Sequence, residues 1–449
     1  MERHTTHLIA DIGETATPRV SRRTFFARLS APTLVVATSL LATTGCGPRR
    51  GKPTVIRFWN GFTGPDGRTM LQMIKRFNAE NPDVQVLMQR MDWRTCYNKL
   101  FVAGLGGRAP ELFVIHTRNM IRFARAGFLR HNDDLVAGSN GIPVGDMDAN
   151  VWSGVEMDGR HYGLPLDVHA MGMYYNREML RDAGIADAQG NPAPPRDRAE
   201  FLRAMSAMTK AGTSGKPDQW GFVFTNWESN VYTFMRQFGG EFFTPDLSRC
   251  VLHNDENIAA LQFCVDIIYR QKTAPEPQNF DAWIGFRQGK VGIVFEGIYM
   301  LADLQRQKDM DFAGAPVPQV ADHQAVWADS HNLCLRSDLR EPELSATWRF
   351  VKYLSDNSLD WAAGGQIPVR KTLRNEPRFR EMSVQSEFAK QIPYVEYLPR
   401  LPFIFEFQTE FGLAIEQALR RRAAPSDALK GAEARINRII EREASGNEA

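Results

Sequence analysis

The chain has 449 residues, 43% of them hydrophobic and 24% charged, which is enough length for two or three domains and enough apolar content for sizeable cores. Its 54 lysines and arginines nearly balance 52 aspartates and glutamates, for a formal net charge of +2. That balance gives no electrostatic case for nucleic acid, which would want a concentrated basic patch, and the runs "RQKD" and "LRRRAAP" read as solvated helix ends, so no nucleic-acid partner is expected.

The first element is an address rather than part of a fold. Arg22 and Arg23 precede an uncharged stretch from Leu29 to Gly45, about 17 residues and at the short limit for a membrane span. The layout is that of an export signal. Ser21-Arg22-Arg23-Thr24-Phe25 resembles the twin-arginine signature. Thr44-Gly45-Cys46 resembles a bacterial lipobox, with Thr43 where that pattern favours leucine. The reading is a signal over residues 1–45, a membrane tether through lipidated Cys46, and a linker over 46–51. An uncleaved signal anchor is the alternative, and both place the body of the chain outside the cytoplasm. Cys96, Cys250, Cys264 and Cys334 show no CxxC or zinc spacing and read as buried free thiols, in a compartment that permits disulfides.

After the linker, "TVIRFW" (Thr54–Trp59) is β-branched and aromatic, a strand. "NGFTGPDG" is a glycine-rich turn, and Leu71, Ile74 and Phe77 then recur at helical spacing. "VQVLM" closes a βαβ unit of about 35 residues, for which a right-handed parallel crossover is the default. "ELFVIH" (Glu111–His116) is a third strand. "HYGLPL" is extended, "AMGMYYN" a strand and "REMLRDAG" a helix; Pro194-Pro195 introduce a helix with Phe201, Met205 and Met208 on one face. "WGFVFTN" and "KVGIVFEG" are strands on either side of the helix "ENIAALQFCVDIIYRQK", and Glu343–Leu359 and Thr409–Arg422 are helical. No fixed-period repeat or low-complexity tract is present. The alternation predicts α/β with mostly parallel sheets.

"IRFWNGFTGPDG", "MIKRFNAENPDV", "DGRHYGLPLDVHAMGMYYNREML", "GKVGIVFEG" and "GGQIPVRKTL" stand in this order over roughly Thr54–Arg422. That ordered set resembles bacterial extracellular solute-binding proteins of family 1, the maltose-binding-like lipoproteins of ABC importers. The resemblance implies a two-lobed, periplasmic-binding-protein-like type II fold, each lobe a doubly wound sheet, with three crossings between lobes. By that analogy lobe one is 52–166 plus 282–326 and lobe two is 167–281 plus 327–449, with "TAPEPQNF" near the second crossing as a candidate hinge. It also implies a monomer that captures a carbohydrate, an oligosaccharide above all, and delivers it to ABC permease transmembrane subunits.

Ligands of open α/β sheets collect beyond the carboxyl ends of the strands and in clefts between domains. Sugar hydroxyls need planar hydrogen-bonding groups, and sugar C–H faces pack on aromatic rings. Trp59 and Asn60 close the first strand, Asp92 and Trp93 follow the second, and His116 ends the third. Asp167 and His169 project to one side of an extended segment at the first proposed crossing, where the family often places an acidic residue. Asn226, Trp227 and Glu228 follow another strand, and Glu296, Gly297 and Tyr299 end the next, where the family frequently has Gly-Pro-Trp or Gly-x-Trp. Trp327 and His331 flank the third crossing, and Arg370 lies in the turn the family aims at its cleft. A metal at Asp167-x-His169 would need partners such as His116, Glu228 or His331, which no spacing joins, so no metal or cofactor is expected.

No Gly-x-Ser-x-Gly elbow, HExxH or P-loop is present, and no enzyme activity is expected. The rival readings are an extracellular carbohydrate-active enzyme pairing Asp167 with Glu228 or Glu296, a binding protein for a polyol phosphate, peptide or metal, and a lipoprotein with no transporter.

Overall fold

The computed structural model describes residues 52–212, 217–277 and 280–446. The residues read above as an export signal, Cys46 and the linker lie outside the described residues. In chain order the strands are β1 (Thr54–Asn60), β2 (Val84–Arg90), β3 (Leu112–His116), β4 (Glu156–Met157), β5 (Arg160–His161), β6 (Leu164–Pro165), β7 (Asp167–Asn176), β8 (Lys210–Ala211), β9 (Pro217–Val223), β10 (Val291–Gly297), β11 (Phe312–Ala315), β12 (Val326–Asp329), β13 (His331–Leu335), β14 (Ile367–Pro368) and β15 (Val395–Glu396).

The βαβ unit forms as the periodicity predicts. β1 pairs in parallel with β2 and β3 around the helix Pro65–Glu80, which buries Met70, Met73, Ile74 and Phe77. The first sheet runs β2-β1-β3-β13-β6, and β13 is antiparallel to both β3 and β6. Its two faces bury different clusters. Ile56, Phe58, Leu112 and Val114 pack against the helices Pro65–Glu80 and Glu343–Asp356. Trp59, Phe113 and Ile115 turn to the other face with Tyr97, Leu100 and Phe123. This is the two-residue alternation of a strand.

The second sheet runs β15-β12-β7-β10-β9-β8, with β11 and β14 also paired to β7. β7 is ten residues long and buried at every position, and it is antiparallel to β10, β11, β12 and β14. The expectation of mostly parallel sheets therefore holds for β1–β3 and is corrected here. Parallel pairing in this sheet is between β9 and β10 and between β12 and β15. The helix Arg198–Met208 packs on β9, and the helices Trp227–Gln237, Asp255–Tyr269 and Ile404–Leu419 pack on one another.

The sheets redraw the lobe boundaries. The crossing at Leu166–Asp167 falls where the sequence placed it, since β6 belongs to the first sheet and β7 to the second. Assigning 282–326 to lobe one is corrected, because β10 pairs with β7 and β9, and β11 pairs with β7, so the strands on either side of "TAPEPQNF" share the second sheet. The chain returns to the first sheet at Ser330, between β12 and β13, so 327–449 is not wholly lobe two. It passes to the second sheet again through Ala363–Gln366, between the helix Ser358–Ala362, which packs on the helix Pro65–Glu80, and β14. Gly365 turns there with φ +105°, a region side chains other than glycine rarely adopt.

The four described cysteines are free and buried. Burial pushes the Cys96 and Cys250 thiols up to about 12, and those of Cys264 and Cys334 higher still. Thiolate is the reactive form, so iodoacetamide at neutral pH should leave all four unmodified in the folded chain and label all four in denaturant; peptide mass mapping reads the difference.

Candidate functional site

A cavity of about 460 Å³ lies between the two sheets. Gly61, Trp93, His116 and Arg118 reach it from beyond the carboxyl ends of β1, β2 and β3. Asn226, Glu228 and Ser229 reach it from beyond β9, and Tyr299 and Met300 from beyond β10. The strand-end rule leads to this cavity from both sides.

Asp167 organises the floor from beneath. It is 0% exposed, and its carboxylate accepts from the backbone N–H of His331 at 3.2 Å and from His331 Nδ1 at 2.8 Å. It also accepts from Trp361 Nε1 at 2.7 Å and from His169 Nδ1 at 3.2 Å. Burial acts to raise its pKa, but His331 and His169 outweigh burial and hold the carboxyl well below the usual carboxylate range. His169 shifts down, by burial first and then by repulsion from His331, against the pull of Asp167. His116 shifts well down through burial and the neighbouring Arg118, His331 and His169. Both rings are therefore neutral at neutral pH.

Aromatic and polar groups form the walls. The Trp93 indole stacks on His331 with centroids 5.3 Å apart and meets His116 edge-on at 4.4 Å. It lies directly over Gly61, where a Cβ would come within 2.1 Å of the ring, so only glycine fits. The Tyr299 hydroxyl donates to Glu296 at 3.0 Å, and Gly297 leaves room for that ring. Arg118 pairs with buried Asp329 at the base. Asp66 and Glu228 line the cavity with pKa values raised by burial. Gln366 is 0% exposed, lines the cavity, and has no hydrogen-bond partner for either amide atom among the described residues.

Of the residues singled out in the sequence, Trp93, His116, His169, Asn226, Glu228, Tyr299, Trp327 and His331 line this cavity. Asp167 and Gly297 support it from behind, and buried Asn60 holds the following turn by accepting from the Phe62 N–H at 3.3 Å. Trp227 and Glu296 line a neighbouring cavity of about 420 Å³ that shares Met300. Three residues stand elsewhere. Alternation along β1 turns Trp59 to the outer face, under the Lys99 ammonium at 4.3 Å. Asp92 caps the helix Trp93–Leu105 by accepting from the Thr95 N–H at 3.0 Å. Arg370 is held by Asp146 at 2.5 Å and Asp356 at 3.2 Å. Sequence reading missed Asp66, Arg118, Gln366 and Gln408. Asp66 and Arg118 sit in the segments just after β1 and β3, so extending the strand-end rule a few residues would have reached both.

The family model described as bacterial extracellular solute-binding protein matches residues 62–358. A putative binding protein of Brucella abortus is 23% identical over 393 residues, covering 85% of this chain and 92% of that protein. A maltotriose-binding protein of Pyrococcus abyssi is 22% identical over 368 residues, covering 77% and 73%. Among solved structures, the sugar-binding protein MalE of Xanthomonas citri aligns with TM-score 0.76 at 20% identity, covering 88% of this chain and 99% of that one. The GacH receptor of Streptomyces glaucescens, solved unliganded and with acarbose, aligns with TM-score 0.74 at 18% identity, covering 87% and 99%. These structural likenesses establish the two-lobed fold.

Asp167→Asn should destabilise the chain by about 3 kcal/mol, since an amide nitrogen would then face buried donors. The carboxyl binds its proton less readily folded than unfolded, so its contribution is complete above about pH 4 and is lost as pH falls through the depressed folded value. Denaturant melts of both chains should show a gap at pH 7 that closes in strong acid.

Proposed function

The chain belongs to the bacterial extracellular solute-binding protein family, and on that premise we propose that it captures a carbohydrate of oligosaccharide size between its lobes for an ABC importer. The observation that carries this reading is the unpaired Gln366 amide in a cavity walled by aromatic rings. A buried amide without partners is costly, and a ligand hydroxyl both donates and accepts. Trp93, Tyr299 and Trp327 supply flat faces for sugar C–H surfaces. Asn226, Glu228, Gln408, Asp66 and Arg118 supply hydrogen bonds around the rim. Relatives named for maltotriose and for arabinooligosaccharides point the same way.

The action is reversible capture. Ligand touching both lobes stabilises the closed form by its differential affinity for that form, and the closed monomer engages the permease. A glycosidase pair finds little support in the cavity. Asp167 is fully buried and already accepts from His169, His331 and Trp361, and Glu296 faces the neighbouring cavity. Only Arg118 among the cavity's arginines and lysines is available to an anion, and Asp329 pairs it, which disfavours a polyol phosphate. Export through the arginine pair and acylation of Cys46 complete the reading by holding the receptor at the membrane's outer face.

A thermal-shift screen of the full chain in detergent against oligosaccharides, polyol phosphates and amino acids tests the ligand class. A sugar at 100 times its Kd should add about 2.7 kcal/mol, or about 3 °C for a chain of this size. Trp93→Ala should weaken that sugar about 30-fold or more. Shifts with phosphates alone would overturn the carbohydrate assignment. The anchor has its own test. Intact-mass analysis of the membrane fraction should find the chain beginning at an acylated Cys46, and Cys46→Ala should release or leave unprocessed the exported protein.

A further inference from the structure

Three of the chain's nine histidines converge on the cavity floor. His116 and His331 are directly paired across β3 and β13 of the first sheet. His169 arrives from β7 of the second sheet. One ring nitrogen from each lies within 4.8 Å of the other two, and all three residues are buried.

The surroundings orient the rings as a ligand set. Asp167 engages Nδ1 of both His169 and His331, and the Tyr97 hydroxyl engages Nδ1 of His116. An ionised carboxylate only accepts, so His169 and His331 each carry a proton on Nδ1, and in the neutral ring Nε2 keeps its lone pair. No Nε2 of the three has a hydrogen-bond partner among the described residues. A carboxylate behind a histidine in this way fixes tautomer and ring direction and raises ligand basicity, the outer-shell arrangement of zinc-bound imidazoles. The charge is also suitable. Arg118 is neutralised by Asp329, and Asp66 and Glu228 line the same cavity.

We propose that His116, His169 and His331 bind a divalent transition-metal ion of the zinc class through Nε2, with an open coordination position facing the cavity. Three imidazoles suit zinc, copper or nickel rather than magnesium or calcium, and three protein ligands with an open fourth position differ from a closed structural site. Zn–N bonds of about 2.0–2.1 Å in a tetrahedral site put nitrogens about 3.4 Å apart, so loading has to bring the three Nε2 atoms to that spacing. The ion joins the two sheets, since its ligands come from both. This inference is independent of the carbohydrate reading, because the metal is tested alone.

The experiment is zinc titration of the untagged full chain after chelator treatment, by calorimetry and by metal analysis after dialysis, with no sugar present. One ion per chain is expected. His116→Gln, His169→Gln and His331→Gln should each weaken it at least tenfold, whereas His253→Gln, whose ring bonds Ser426 away from the cavity, should not. Should a buried variant fail to fold, the unmodified chain still decides the matter through cobalt. The intense visible absorption of four- or five-coordinate Co²⁺ supports the site, and the weak spectrum of the hexa-aquo ion overturns it. Absence of saturable zinc uptake, or uptake that all three variants retain, also overturns it. Zinc uptake in a chain that shifts with no sugar supports this site and removes the carbohydrate reading; a sugar shift without zinc uptake does the reverse.

Discussion

A carboxylate with no exposed surface, Asp167, holds this molecule's two sheets in register. Burying an ionised carboxyl is prohibitive unless donors replace its water. Here the backbone and ring of His331, the ring of His169 and the indole of Trp361 replace it. Those donors come from β13 of the first sheet, β7 of the second, and the helix Ser358–Ala362. One side chain thus fixes the relative placement of three segments far apart in sequence. It sits where β6 hands the chain to β7, so this connection between lobes is itself tied by four hydrogen bonds.

The cavity inherits its shape from that network. With His331 held by Asp167, its ring offers a face on which Trp93 stacks, and Trp93 closes over Gly61. Phe62 fills the space behind, edge-on to His331 at 4.9 Å and tilted on Trp361 at 4.8 Å. The second and third crossings bring His331 and Gln366 to the floor, and Asp167 at the first holds His331 from beneath. A ligand in this cavity therefore bears on the segments that any relative motion of the lobes has to move. That is the structural condition for coupling occupancy to closure.

Local signals made most of the elements legible. The apolar spacing after "TVIRFW" foretold the helix Pro65–Glu80, and the alternation in "LDVHAM" appears in the Asp167–His169 pairing on one side of β7. Strand ends led to Trp93, His116, Asn226 and Tyr299. What failed was information that exists only between distant segments. Trp59 looked equivalent to Trp93, but its position in β1 turns it to the outer face of the sheet. Arg370 could be read equally as a ligand contact or as an ion pair at a helix end, and Asp146, 224 residues earlier, holds it. β10 and β13 have similar apolar runs, and only their pairing shows which sheet each joins. The three histidines stand 53 and 162 positions apart, a spacing that no motif encodes, and β-sheet register brings them together.

The tie between the sheets rests on Asp167 accepting hydrogen bonds from His169 and His331 at Nδ1. Nitrogen-15 spectroscopy of the histidine side chains in the metal-free protein reads this directly. A proton on Nδ1 of both rings is the predicted result. An Nε2–H tautomer with a bare Nδ1 at either ring would contradict it, because the carboxylate would then face a lone pair and could not be the tie between the sheets.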